Sequence, residues 1–366
     1  MDPHPQPLPS RGRGAGPAVV LNRPAFRVVV DSMNKPILNR DLYVPSIDAW
    51  IDPNTPKPRA IITHGHADHA RSGHGAVLAT PETVAIMKVR YGEDCAGTFQ
   101  ALALGERLVM DNAVVSLHPA GHILGSAQVL IEAEGQRAVV TGDYKRLPDR
   151  TSEAFEPVDC DILVTEATFG LPVFQHPKPQ AEIARLLKSV ADQPERAHLV
   201  GSYALGKAQR VIALLRDAGW DKPIYLHGAM IRLCELYQEL GVDLGELIPA
   251  TGMPKAAMAG QIVIAPASAI RDRWSRRFPD PVVCQASGWM SIKQRARQAL
   301  VELPLVISDH CDWGELNTSI IDSGASTVWV THGREDALVY WCRQQGLDAE
   351  PLALPGLDDD GGEGGE

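Results

Sequence analysis

Three histidines and an aspartate lie within one six-residue stretch, at His64, His66, Asp68 and His69. Neutral imidazole and carboxylate groups are the ligands that a catalytic Zn²⁺ ion prefers. Alternation along an extended backbone directs His64 and His66 to one side, while Asp68 and His69 can turn to another. One loop therefore offers ligands to two adjacent metal ions. The alternative is a chance histidine cluster on a solvated loop, but short histidine-rich tracts are more typical of metal binding.

Three further candidate ligands follow apolar or glycine-rich runs elsewhere in the chain. His122 lies in the stretch Pro119–Ser126, whose glycines let a side chain turn sharply toward a site. Asp143 and His332 each end a strand-like apolar run, as the first cluster does. Taken singly, each has an ordinary interpretation as a turn residue or a hydrogen-bonded histidine. Taken with the first cluster, they predict a single metal site built at strand ends.

The first half of the chain has the pattern of a β-sheet protein. Short apolar runs alternate with turn signals up to about Asp143, which predicts strands. The Glu134-Gly135 step before Ala138–Val140 predicts a hairpin. The predicted strands include Phe26–Val30, Val77–Ala79, Val114–Leu117 and Val129–Glu132.

The pattern changes after about Gln180, where strands and helices alternate. Such alternation is typical of a parallel α/β unit. The β-rich pattern resumes near Leu305–Ser308. The predicted elements are helix Gln180–Ala191, strand His198–Gly201, helix Gly206–Ala218, strand Pro223–Tyr225 and helix Ala229–Leu240.

These motifs resemble those of metallo-β-lactamase-fold hydrolases, and within them the β-CASP nucleases of RNA processing and DNA repair. Asp52 resembles the first acidic motif of that family, and Glu166 the acidic residue that follows its fourth metal motif. His310 and His332 resemble its second and third histidine motifs. In length and in the residues of its motifs, the chain is similar to bacterial ligase-associated DNA exonucleases, which accompany a helicase and an ATP-dependent DNA ligase. The resemblance covers about residues 25 to 355.

The resemblance implies an α/β fold, a metallo-β-lactamase αββα sandwich with an inserted parallel α/β domain, the β-CASP domain. We expect a disordered leader rich in Pro, Gly and Arg, and an acidic, Gly-rich disordered tail. The expected limits are 1–18 for the leader, 19–175 and 297–356 for the two parts of the metallo-β-lactamase domain, 176–296 for the insertion and 357–366 for the tail.

The resemblance also assigns roles to the candidate ligands. Two zinc ions are expected, with Mn²⁺ able to replace them in vitro. Asp143 would bridge the ions, and His310, held by Glu166, would donate a proton to the departing oxygen. The residues expected to be catalytic are Asp52, Asp68, Glu166 and His310. The expected ligands are His64, His66 and His122 for one ion, Asp68, His69 and His332 for the other, and Asp143 for both.

Two basic segments are candidates for substrate binding. Arg273, Arg276 and Arg277 flank Trp274, a combination that suits a phosphate backbone and an unpaired base. An ordinary solvated helix face is the alternative.

The second segment, residues 201–208, matches the P-loop motif at all but one position. Ala208 stands where the motif requires the hydroxyl of Ser or Thr, so ATP binding is disfavoured. Lys207 and Arg210 at this helix start could hold a substrate phosphate. Alternatively, its glycine only permits close packing.

Composition limits the class of protein. The six cysteines form no Cys-x-x-Cys pair, which predicts reduced cytosolic thiols rather than a disulfide framework. No apolar run approaches the length of a membrane span, and no signal-peptide core is present, so a cytoplasmic protein without a membrane partner is expected. The net charge of −10 is partly carried by the acidic tail, and local basic clusters matter more for a nucleic-acid partner.

The leading hypothesis is a zinc-dependent phosphodiesterase, a DNA exonuclease of repair that works with a ligase and a helicase, with DNA favoured over RNA. A ribonuclease with the same chemistry is the first alternative. A non-catalytic β-CASP subunit is the second, although such subunits lose ligands that this chain keeps. A small-molecule thioester or β-lactam hydrolase is the third, and it would need neither the insertion nor His310.

Overall fold

The computed structural model describes residues 36–354. The expected leader at 1–18, the predicted strand Phe26–Val30 and the expected tail at 357–366 lie outside the described residues.

The first sheet has five strands in sequence order, and all neighbours after the first pair are parallel. Helix α1 (Pro81–Tyr91) follows the fourth strand, with Thr80 as its N-cap accepting a hydrogen bond from the Thr83 amide. The strands are β1 (Tyr43–Val44), β2 (Ala49–Ile51), β3 (Arg59–Ile61), β4 (His74–Ala79) and β5 (Ala96–Ala101).

The second sheet begins with five consecutive strands, and the predicted hairpin at Glu134-Gly135 is confirmed. Ala133 pairs with Gln136, and the two turn residues have φ of 52° and 79°. Positive φ at both central residues is what a two-residue hairpin turn of type I′ requires. The strands are β6 (Arg107–Met110), β7 (Ala113–Pro119), β8 (Ala127–Ala133), β9 (Gln136–Val140) and β10 (Ile162–Ala167).

A third sheet of six parallel strands follows, in the order β13-β12-β14-β11-β15-β16. The predicted alternation of strands and helices is confirmed to within about two residues at each boundary. The strands are β11 (His198–Gly201), β12 (Ile224–Leu226), β13 (Leu247–Pro249), β14 (Ile262–Ala265), β15 (Val282–Ala286) and β16 (Leu303–Leu305). The helices are α2 (Pro179–Asp192), α3 (Lys207–Asp217), α4 (Gly228–Glu239), α5 (Ala267–Ile270) and α6 (Lys293–Gln298).

Strand β16 lies beyond residue 296, where the sequence pattern placed the end of the insertion. It pairs with β15, so the third sheet continues to Leu305. Periodicity identifies an apolar run near this position but does not reveal which sheet it joins. The limits of the domains as such remain predictions.

The chain then returns to the second sheet and completes it, in the order β18-β17-β10-β9-β8-β7-β6. The added strands are β17 (Thr327–Gly333) and β18 (Asp348–Pro351), and the helices are α7 (Trp313–Asp322) and α8 (Glu335–Gln344).

The expected αββα sandwich is confirmed by the way the two mixed sheets pack. Ile51 and Leu78 of the first sheet share a buried core with Val115 and Val129 of the second. Alternate residues of the second sheet face outward, against the apolar sides of α7 and α8. Helix α1 covers the outer face of the first sheet, where its Met87 packs against the strands. Each sheet is therefore covered on both faces, which leaves the strand ends to carry the polar site.

All six cysteines are buried free thiols, as the sequence predicts. Among residues 36–354, no helix has both the length and the apolar character that crossing a bilayer requires.

Candidate metal centre

The loop after β3 delivers the first histidines into the interior. His64, His66 and His69 are almost fully buried, and Asp68 is partly exposed. A side chain at Gly65 would meet Ile86 of α1, since its Cβ would lie 2.4 Å from the Ile86 Cγ2 atom. The loop is thus clamped between the sheet end and α1, which gives its histidines defined positions.

Three imidazole nitrogens converge at this position. Nδ1 of His66 lies 3.1 Å from Nε2 of His64 and 3.0 Å from Nε2 of His122. The Oδ2 atom of Asp143 lies 3.4 Å from Nε2 of His64 and 3.6 Å from Nε2 of His122. Predicted ligands separated by up to 79 residues along the chain therefore meet at one point.

The outer nitrogen of each of these imidazoles is hydrogen-bonded, which determines where the lone pairs point. Nδ1 of His122 donates to the Asp309 carbonyl (2.9 Å), and Nε2 of His66 donates to the Leu205 carbonyl (3.1 Å). Thr63 donates its hydroxyl proton to Asp52 (2.5 Å), so its oxygen accepts from Nδ1 of His64 (3.0 Å). In the neutral tautomers that result, all three inner nitrogens carry lone pairs.

Three facing lone pairs beside a carboxylate need a cation between them. Burial lowers the pKa of His64 and His122 well below the usual value, and lowers that of His66 to about 4. The imidazoles therefore stay neutral at physiological pH, which is the form that binds metal. The donor set fits a divalent metal ion such as zinc.

The second predicted group is centred on His69. Its Nδ1 atom donates to Asp52 (2.8 Å), while its buried Nε2 atom has no hydrogen-bond partner among the described residues. That nitrogen lies 3.5 Å from Asp143 and 3.7 Å from Asp68. Burial lowers the pKa of His69, but Asp143, Asp68 and Asp52 together raise it to about 10. A positive charge is therefore favoured here, and a second metal ion would supply it.

His332 lies at the end of β17 and stacks on His69, with ring centroids 4.8 Å apart. Its backbone has φ of 55°, and that of Asp52 has φ of 45°. Non-glycine residues in this left-handed region are strained and cluster at functional sites. The structure thus brings His332 against His69. The tight cluster of possible ligands consists of His64, His66, His122 and Asp143, and His332 is not part of it.

His310 and Glu166 form a pair on the other side of His122. Nδ1 of His310 lies 3.0 Å from Oε2 of Glu166, and the rings of His310 and His122 are 4.5 Å apart. Burial lowers the pKa of His310, but the Glu166 and Asp143 carboxylates overcome this and raise it to about 9. The imidazole therefore keeps a proton at neutral pH, as a proton donor must.

Lys207 and Arg210 are buried, and their charges are engaged within the protein. Nζ of Lys207 lies 3.1 Å from Asp309, and Nε of Arg210 lies 3.5 Å from Asp149. Arg210 also donates to the carbonyls of Gly121 and His122. These interactions tie α3 to the His122 loop; phosphate binding by the two residues remains a prediction.

The geometry of Gly206, in the segment that resembles a P-loop, favours the alternative in which the glycine only permits close packing. Gly206 has φ of 88°, and a Cβ atom there would lie 2.2 Å from Ile123. Glycine is therefore required where α3 approaches the His122 loop.

The arginine cluster forms a 3₁₀ turn at Arg273–Arg277, beyond the carboxyl end of β14. Arg273 and Arg276 are exposed. Trp274 packs against His227 (4.7 Å between centroids), and Arg277 lies over Trp274 and donates to the Ala250 carbonyl. Trp274, which was predicted to stack on a base, therefore packs against His227 and Arg277 within the protein.

Comparison with known proteins identifies relatives of this chain. No family model matches the chain. A probable DNA ligase from Opitutus terrae is 28% identical over 316 residues, which is 84% of this chain and 30% of that protein. An endoribonuclease, ysh-1, from Neurospora crassa is 32% identical over 220 residues, 48% of this chain and 26% of that protein. Cleavage and polyadenylation specificity factor 73 from Drosophila melanogaster is 32% identical over 125 residues, which is 31% of this chain and 18% of that protein.

The chain therefore spans less than a third of the length of these curated relatives. A crystal structure of a protein of unknown function from Enterococcus faecalis has the same fold, with a TM-score of 0.53, 12% identity and coverage of 74% of each chain. The relatives, the sandwich with its inserted parallel sheet and the histidine cluster agree. This chain is similar to the β-CASP nucleases of the metallo-β-lactamase fold.

Four residues in or beside the candidate site were not singled out by the sequence analysis. Thr63 and Asp309 orient ligands, and both are adjacent to predicted site residues, a position that could have revealed them. Tyr203 lies edge-on to His66 at 5.1 Å. His176 packs against Phe169, and burial followed by the charge of Lys145 lowers its pKa to about 3. Nothing in the sequence pattern distinguishes His176.

Proposed function

We propose that this protein is a two-zinc nuclease that hydrolyses phosphodiester bonds, and more specifically a DNA exonuclease of DNA repair that works with an ATP-dependent ligase and a helicase. The observation that carries the proposal is the set of three converging imidazole nitrogens beside Asp143, next to the His310–Glu166 pair. A two-metal centre can activate water and stabilise the charge that develops on a phosphate.

The protein residues then have separate tasks. Asp52 receives hydrogen bonds from the Thr63 amide, the Thr63 hydroxyl and His69, so it orients ligands on both sides of the centre. His310 delivers its proton to the departing oxygen of the substrate, and Glu166 holds the imidazole and favours its charged form. Glu166 is itself held by the Tyr144 amide at 2.9 Å.

The preference for DNA is supported by the relative named as a probable DNA ligase, because the similarity to it extends over 84% of this chain. In this proposal the chain and a DNA ligase act on the same substrate, DNA.

Ribonuclease activity is the second candidate. Relatives named as endoribonucleases are somewhat more identical, at 32%, although over about half of this chain. A non-catalytic role is less well supported, since all seven predicted ligands are present and buried or partly buried around one centre.

The test uses the purified protein with 5′- and 3′-labelled single-stranded DNA and RNA of the same sequence. We expect stepwise shortening of the DNA, loss of activity with a chelator and recovery on adding Zn²⁺ or Mn²⁺. Faster cleavage of RNA would replace the DNA assignment by the ribonuclease one. No cleavage of either polymer after metal loading would refute the proposed nuclease.

A further inference from the structure

A cavity of about 400 Å³ lies beside the metal centre. Three segments that are distant in sequence form its walls: the loop after β10, the 3₁₀ turn Gly288–Ser291 with α6, and the start of α8. Its volume is within the usual range for sites that bind small molecules. None of the residues assigned above to the metals or to proton transfer lines it.

The cavity adjoins the centre closely. Thr168 and Gly333 line it, and they stand two residues after Glu166 and one after His332. The Phe169 ring lies 4.9 Å from the Trp289 ring of the cavity wall and 6.2 Å from the His310 ring. One aromatic ring therefore separates the cavity from the predicted proton donor.

The walls present a flat cationic surface. The Arg295 guanidinium lies 4.0 Å from the centre of the Trp289 ring. Neither the Arg295 nor the Arg334 side chain forms a hydrogen bond or ion pair with any residue among 36–354 that the structure describes. Guanidinium planes and aromatic rings are the surfaces on which proteins stack unpaired bases.

An unsatisfied donor is also present. Trp289 is 9% exposed, and its indole nitrogen is buried without an acceptor among the described residues. Buried donors in folded proteins are nearly always paired, so this indole N–H is available to an acceptor group of a ligand in the cavity. Asp336, the acidic residue of the wall, offers an acceptor in turn.

We propose that this cavity binds the base of a nucleotide next to the scissile phosphate, with the base stacked on the Arg295–Trp289 pair and Arg334 against the backbone phosphate. The proposal rests on the proposed nuclease function and adds a base-binding subsite to it. An apolar side chain of a partner protein would fill the volume but would leave the indole N–H and both guanidinium groups without partners.

The test compares intact single-stranded DNA with oligonucleotides that carry one abasic site, moved one position at a time from the end. Cleavage is measured as kcat/KM. Binding is measured separately, by fluorescence anisotropy with the metal chelated. Arg295 is exposed and can be replaced without opening the core, so Arg295→Ala is the test variant, and Arg297→Ala on the same helix is the matched control.

For the unaltered protein and for Arg297→Ala, we expect one abasic position to weaken both binding and kcat/KM by roughly tenfold, because one stacked base is missing. In Arg295→Ala the difference between intact and abasic DNA should fall below about threefold. Cleavage that is equally fast with an abasic site at every position would overturn the subsite and leave the nuclease proposal standing. Binding that depends on the base without any cleavage would support the subsite and refute the nuclease.

Discussion

Lys207 at the start of α3 and Asp309, which lies between β16 and α7, form a fully buried ion pair, with Nζ 3.1 Å from Oδ1. The backbone carbonyl of the same Asp309 accepts the hydrogen bond from Nδ1 of His122. Burial would raise the pKa of Asp309, but the Lys207 ammonium holds it well below its usual range. This ion pair thus helps to orient His122, a predicted metal ligand.

Replacing Lys207 by Met should therefore destabilise the protein. The change removes the nearest cation from the buried Asp309 carboxylate, and breaking a buried ion pair in this way typically costs about 3–5 kcal/mol of unfolding free energy. Urea unfolding of the chelated protein measures it. Lys188→Met, which breaks the exposed pair with Asp192, should cost less than about 1 kcal/mol. Equal effects of the two changes would show that the buried pair contributes no more than a surface pair.

Metal analysis should give close to two zinc ions per chain, and His66→Ala should remove most hydrolytic activity while the fold is kept. The reason is that His66 supplies the lone pair facing both His64 and His122. His118→Ala is the matched control, since the His118 imidazole contacts Ser116 and Glu156 and is not one of the predicted ligands, so metal content should be unchanged. Protein that binds neither Zn²⁺ nor Mn²⁺ would contradict the assignment of the centre.

The Asp52→Asn variant should weaken metal binding by about 10–100-fold, the usual effect of removing a residue that orients ligands. Both carboxylate oxygens of Asp52 accept hydrogen bonds, so in either orientation the NH₂ group of the new asparagine would face a donor of Thr63 or His69. Competition with a chelator measures the affinity. Asp48→Asn is a close control, because Asp48 is exposed and also has positive φ, at 49°. An unaltered affinity in Asp52→Asn would mean that Asp52 only supports the loop.

The His310→Ala variant should lower kcat by about 10²–10⁴-fold with little change in KM, because a proton donor acts in the transition state. Glu166→Gln should lower kcat less, since it removes the charge that favours protonated His310 but keeps the imidazole. Steady-state kinetics and a thermal melt of each variant separate this from unfolding. A near-normal kcat in His310→Ala would show that His310 is not the proton donor and has a structural role instead.

The double variant Arg273→Ala/Arg276→Ala should bind single-stranded DNA less tightly. The slope of log affinity against log salt should fall by about 0.7 for each phosphate that an arginine no longer neutralises. Arg277 is left unchanged because it holds the Ala250 carbonyl. Arg232→Ala removes an exposed arginine from α4 and should not alter the slope. An unchanged slope in the double variant would identify the turn as an ordinary solvated surface.

The sequence by itself determined the types of ligand and the class of fold. His64, His66, Asp68 and His69 lie next to one another in the chain, so their convergence needs only one loop. The strands and helices of the insertion were predictable because hydrophobic periodicity is a local property, and His198–Gly201 was placed to the residue.

The tertiary structure alone decided which distant residues meet. It showed that Lys207 is buried against Asp309, that β16 joins the third sheet, and that Trp289 and Arg334 share one cavity. The direction of the His122 lone pair also depends on the carbonyl of Asp309, 187 residues away along the chain. Local sequence carries the preference of a segment for helix or strand, whereas the partner of a side chain is set by packing across the whole fold.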